Sequence, residues 1–146
     1  MLADGTYNCI VIEFSDNIKF TPNATSTSGN CVGGAEETLD VCSSGSSTLI
    51  DGTTATCSTS ENIVAMYLST GSTSSNGSDA FIPPSSGNYA TNGFNLGSAL
   101  VVSGSSVANF VVNATDMVCD TAHADCNGSV ANSCEMAAPA FTFVQQ

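Results

Sequence analysis

Residues 119–135, CDTAHADCNGSVANSCE, hold the densest set of chemically capable side chains in the chain. Cys119, Cys126 and Cys134 alternate there with Asp120, Asp125, Asn127 and Glu135, and Asp116 lies just upstream. Carboxylate and amide oxygens are hard ligands, so a loop folded back by disulfides would gather Asp116, Asp120, Asp125, Asn127 and Glu135 into a Ca²⁺ site. The competing reading is a stapled surface loop whose acids are simply solvated, with no cofactor at all. Zinc is the poorer candidate, because C-x-x-C spacing is absent and His123 is the only histidine. Nucleophilic and phosphate-binding signatures such as G-x-S-x-G, H-E-x-x-H or a glycine-rich phosphate loop are absent too. Glu36 and Glu37 are adjacent in a polar segment and read as a solvated patch rather than the separated pair of a glycosidase. The expectation is a protein that is not an enzyme.

Seven cysteines in 146 residues point to an oxidising compartment and structural disulfides. Short loops favour Cys31 with Cys42 and Cys126 with Cys134, each restraining the unfolded chain by about 2–3 kcal/mol. One further pair is expected among Cys9, Cys57 and Cys119, leaving one thiol free; Cys9, inside an apolar strand, suits a buried free thiol. The stretch Ala124-Asp125-Cys126-Asn127-Gly128, followed by Asn132-Ser133-Cys134-Glu135, resembles the short Cys-rich repeat of exported bacterial surface proteins, A-D-C-N/D-G…N-G-C-E. Ser133 stands where that repeat has Gly. What the resemblance implies is export from a bacterial cell.

Charge excludes whole classes of partner. Thirteen acidic residues face one basic residue, Lys19, for a formal net charge of −12. Counterion release from phosphates needs Lys and Arg, so nucleic acid is not a partner, and an anionic membrane surface repels the chain. Only 10% of residues are charged, so solubility rests on Ser, Thr, Asn and Gly. No 18-residue apolar run is present, so membrane insertion is not expected. The opening MLADGTYN lacks the charged and apolar regions of a leader, and a mature, trimmed form is expected. Asn23, Asn76, Asn113 and Asn127 each open an N-x-S/T sequon and are glycosylation candidates. Lys19, if buried beside an acid, could form an isopeptide bond; a surface lysine is the commoner reading.

The elements that must position these groups read as strands. Residues 99–112, ALVVSGSSVANFVV, look like two short strands around a Ser/Gly loop, a central hairpin. Residues 6–14, TYNCIVIEF, and 63–68, IVAMYL, are apolar on both faces and suit inner strands. Asp51-Gly52 between β-formers is a type I′ hairpin signal. Residues 35–42 fit either a helical turn or an edge strand. Residues 70–87 are Ser/Gly-rich loop, and 139–144, PAFTFV, alternates as a last strand. About eight short strands with turn signals between them give an all-β class, a single disulfide-containing β-sandwich of Ig-like or jelly-roll-like type spanning 1–146.

Three functional readings follow from this body. The leading one is a non-enzymatic extracellular structural subunit that assembles with copies of itself into a cell-surface, pilus-like filament, by disulfides and strand addition, with residues 139–146 as an exchanged terminal strand. The second is a secreted adhesive module that binds glycans, a host or cell surface, or Ca²⁺. The third is an enzyme.

Overall fold

The computed structural model describes residues 3–74, 77–84, 92–104, 107–120 and 133–146. Among these residues regular structure is nearly all β, as expected: thirteen short strands and one 3₁₀ turn, Gly77–Phe81. The strands divide into six small sheets, the largest of three strands.

The centre is β7, Ile63–Ser69, whose β-branched and aromatic side chains favour extended backbone. It pairs antiparallel with β2, Cys9–Ser15, from Cys9 opposite Ser69 to Ser15 opposite Ile63. This register puts Ile10, Ile12 and Phe14 level with Leu68, Met66 and Val64, so one face is continuously apolar. Val64 and Leu68 are completely buried there, a burial worth about 1.5–3 kcal/mol for each such side chain. Ala80 and Phe81 of the 3₁₀ turn and the sulfurs of Cys42 and Cys57 join the same core.

The other edge of β7 receives β8, Phe94–Asn95, in parallel, with Leu68 opposite Phe94. Gly93 precedes it at φ 78°, a left-handed conformation, and a Cβ there would stand 3.0 Å from the Tyr67 carbonyl oxygen; both facts call for glycine. Leu96 then bridges in parallel to Phe141, and the Gly97 N–H donates to the Phe141 carbonyl at 2.8 Å. Phe141 belongs to β13, Ala140–Gln145, which pairs antiparallel along its whole length with β10, Ala108–Asn113. The strands therefore follow one another across the molecule as β2, β7, residues 94–97, β13 and β10. Phe94, Phe141, Phe110 and Phe143 tie the last three together, with successive ring centroids 5.2–5.9 Å apart.

Four two-stranded sheets surround this line. β1, Gly5–Tyr7, pairs with β9, Leu100–Val102. β3, Asn17–Phe20, pairs with β4, Glu37–Asp40, which resolves residues 35–42 in favour of the strand. β5, Ser46–Thr48, pairs with β6, Thr54–Thr56, and β11, Val118–Cys119, with β12, Glu135–Met136.

Serine hydroxyls stand in for missing backbone partners. Buried Ser47 Oγ donates to the Ala65 carbonyl at 3.1 Å and accepts from the Ala65 N–H at 2.8 Å, closing the edge of β7 that β8 does not reach. Ser98 Oγ does the same for Phe143, at 2.9 and 3.1 Å. One hydroxyl offers both a donor and an acceptor, so it can satisfy an N–H and a C=O that would otherwise be buried unpaired. Buried Asp16 acts similarly between β2 and β3: its carboxylate accepts from the Asn62 N–H at 2.7 Å and from the Asn62 side-chain amide at 3.2 Å.

Two expectations are corrected here. The strands in residues 99–112 do not form a hairpin; β9 pairs with β1, and β10 pairs with β13, where Phe110 gains ring contacts to Phe141 and Phe143. The β5–β6 hairpin forms, but its turn is not type I′. Only Gly52 has positive φ, at 83°, Gly52 N–H donates to the Leu49 carbonyl and Leu49 N–H to the Thr53 carbonyl, the pattern of a three-residue loop with a glycine bulge. The terminal strand at 139–146 is engaged within its own chain on both edges, by β10 and by residues 96–98, with Phe141 in the core.

Candidate functional site

The cysteine-rich corner is built from segments distant in sequence. A tight turn carries the chain into β11: Met117 N–H donates to the Ala114 carbonyl, and Asp116 occupies the left-handed region at φ 60°, which a short polar side chain tolerates. β12 then lies alongside, with Cys119 opposite Glu135 and the Ala137 N–H donating to the Met117 carbonyl at 2.7 Å. Immediately before β12, Cys134 is bonded to buried Cys31, at a sequence separation of 103. The second disulfide joins Cys42 to Cys57 across the β5–β6 hairpin. Cys119 is disulfide-bonded as well.

These pairings differ from the expected Cys31 with Cys42, Cys126 with Cys134 and a third pair among Cys9, Cys57 and Cys119, since Cys57 is taken by Cys42 and Cys9 is free. Short loop length favoured the local pairs, but β4 ends at Asp40 and the chain turns directly into the hairpin, bringing Cys42 to Cys57. Cys31 is thereby left to face β12. Among the described residues Cys9 is the free thiol, yet it is exposed rather than buried; it lies at the start of β2, where its Sγ donates to Ser69 Oγ at 3.4 Å.

Asp120 is the acid this corner uses. Ser28 Oγ donates to its Oδ2 at 2.7 Å, and Asn30 Nδ2 donates to its backbone carbonyl at 2.8 Å. Hydrogen bonds from Ser28 and then Ser26 hold the Asp120 carboxyl below the usual carboxylate range. The polar loop 23–34 is thus clamped to the β11–β12 corner by one covalent bond, to Cys134, and two side-chain contacts, to Asp120. Ser28 and Asn30 carry no sequence signal beyond flanking a cysteine in a loop.

Among the described candidates, Asp116, Asp120 and Glu135 form no group of three. Asp116 is exposed in its turn, and Glu135 Oε1 accepts from Ser133 Oγ at 2.7 Å. Asp125, Asn127 and Cys126 lie outside the described residues, as does His123. Among the described residues no three His, Cys, Asp or Glu side chains group as a metal site.

Of the sequons, Asn23 is exposed in the clamped loop, and Asn113 is exposed at the end of β10, where its Oδ1 accepts from the Thr115 N–H at 3.1 Å. Asn76 and Asn127 lie outside the described residues. Lys19 is not buried beside an acid as an isopeptide bond requires. It is exposed and forms an ion pair with exposed Glu36 at 2.7 Å, and that hydrogen bond raises its pKa. A shallow groove of about 320 Å³ runs between residues 94–97 and 138–142, with Met117 at one side. Its lining is mainly apolar, with Ser74, Asn95 and Thr142 as the polar side chains and no acid or base.

No protein-family model, curated protein or solved structure matches the chain. Its class is therefore set by its own features: a β-rich, disulfide-bonded protein suited to a non-cytoplasmic compartment. Among the described residues no helix is long and apolar enough to cross a membrane.

Proposed function

We propose that this chain is a non-enzymatic structural subunit that works outside the cell and assembles with its own copies into a surface fibre, its small sheets packed as a sandwich-like body. The observation that carries the reading is how the body is held. Disulfides close its polar loops, and Ser47 and Ser98 complete its strand edges from within. Such a body keeps its shape with only 10% of its residues charged and offers trypsin-like proteases a single basic residue, Lys19. Strand donation by residues 139–146 is not part of this proposal, since that strand is already held on both edges.

Electron microscopy of the native protein, concentrated without reductant, tests it. Fibres are the expected result. A chain that remains monomeric at millimolar concentration, with no fibres in the native material, overturns the proposal.

A further inference from the structure

Among the described residues the line of strands ends in two open edges. Phe141 and Phe143 direct their backbone groups to Gly97 and Ser98, away from β10. By the alternation of an antiparallel pair, their partners Val112 and Phe110, and Ala108 beyond, turn their own N–H and C=O groups outward. At the opposite end, Ala65 is bonded to Ser47 and the Ser69 carbonyl to the Leu96 N–H. Their partners Glu13 and Cys9, with Val11 between, likewise turn outward. Among the described residues these outward groups have no backbone partner.

The two edges match. β7 is antiparallel to β2, residues 94–97 are parallel to β7 and to β13, and β10 is antiparallel to β13, so β10 and β2 run in the same direction. A copy displaced along the sheet brings its β2 beside β10 in parallel. Each outward residue of β10 then sits level with an inward-bonded residue of β2, placing Ala108, Phe110 and Val112 beside Ile10, Ile12 and Phe14. The apolar face continues unbroken from one copy to the next.

Charge disfavours two β2 edges together and favours a contact that includes β10. A chain of net charge −12 repels itself, yet residues 96–115 and 136–146 contain no charged side chain. β10 carries neither the charge nor the proline by which exposed edges are usually protected. Val107, Val112 and Val144 around it are 59%, 50% and 49% exposed. β2 carries Glu13, so two β2 edges brought together would oppose like charges, whereas β10 against β2 does not.

We propose that β10 of one copy binds the β2 edge of a second copy in parallel, a head-to-tail contact that leaves one β2 edge and one β10 edge open and so propagates. The inference rests on the fibre reading and names its interface. Val11→Pro and Val112→Pro test it, because each removes an outward N–H that has no backbone partner among the described residues. Val11→Glu and Val112→Glu are the second pair, and circular dichroism and melting identify which variants are folded.

In analytical ultracentrifugation the parent should grow with concentration into an open-ended series, and each folded variant alone should stay monomeric. A mixture of a β2-edge variant with a β10-edge variant should stop at a dimer, joined through the one intact edge of each. Dimers of Val11→Pro alone would overturn the proposal in favour of a two-fold β10 contact. Fibres formed by both single variants would overturn this interface while leaving the fibre reading standing; a parent that never associates removes both.

Discussion

The strand line around β7 and the cysteine-rich corner solve the same problem with different means. Ten buried residues make a continuous core along the line, whereas the corner buries Cys119 and Ala137, with Met117 against them. Where the sequence supplies Ile, Leu, Val and Phe at alternating positions, packing suffices. Where it supplies Ser, Asn, Gly and Asp, apolar area is scarce, and a covalent bond with a few charge-assisted contacts takes its place. The corner should therefore depend on its disulfide, and the line on its side chains.

The largest effect is expected from removing Cys31–Cys134 by a Cys31→Ser, Cys134→Ser double variant. Freeing a loop of roughly a hundred residues corresponds to about 4.7 kcal/mol in the chain-entropy model. Urea unfolding should show that loss, while hydrogen exchange in the folded state should rise in residues 26–31 and 118–120 and stay low in β2 and β7. Equal loss of protection in both regions would break the comparison.

Phe141→Ala addresses the other side. Phe141 is buried between Phe94 and Phe110, and its truncation should cost about 3–5 kcal/mol with exchange rising along β10 and β13 first. Deleting residues 139–146 removes the same side chain together with all the β13 backbone pairs, and circular dichroism should show no folded monomer. A truncated chain that stays folded would return the last strand to the role of an exchanged element.

Ser47→Ala sharpens the contrast within the line itself. It leaves the Ala65 N–H and C=O without their hydroxyl partner inside the protein, a loss of about 1–3 kcal/mol. Its exposed neighbour Ser46 should tolerate alanine within about 0.5 kcal/mol. Two serines adjacent in sequence would then differ by more than their shared propensity allows, and equal melting curves would remove the backbone-surrogate role.

What could be read from the sequence divides along the same boundary. β7 and β13 were legible because Ile63, Val64, Tyr67, Phe141 and Phe143 combine strand propensity with alternation, signals local to each segment. The β5–β6 hairpin was legible from Asp51-Gly52, though the single positive φ at Gly52 depends on the loop length that pairing sets. Partner choice was not legible: β9 and β10 are neighbours in sequence, and each pairs with a strand distant in sequence, β1 and β13, because long-range packing decides. The Cys31–Cys134 bond was hidden for the same reason, since spacing favours short loops and carries no record of β12 folding back on loop 23–34. Ser47 and Ser98 look like every other serine, and only the unfilled edges beside β7 and β13 distinguish them. The Cys-rich segment announced itself, but the residues that hold Asp120 lie some ninety positions earlier, at Ser28 and Asn30.

The smallest effect should be electrostatic and confined to the corner. Hydrogen bonds from Ser28 and Ser26 lower the Asp120 carboxyl pKa, and those from Thr53 lower that of Asp51. A carboxylate with a lowered folded pKa contributes stability that is complete above the unfolded value, near 3.9, and is lost as the pH falls through the folded value. Both groups are exposed, so the contribution to global stability is slight and the site itself is the better reporter. Carboxyl NMR titration should place the Asp120 midpoint below the usual range, and Ser28→Ala should move it upward while leaving Asp51 where it was. If Ser28→Ala shifts neither carboxyl, Ser28 does not hold Asp120 in solution, and the clamp on loop 23–34 reduces to the disulfide and the Asn30 contact.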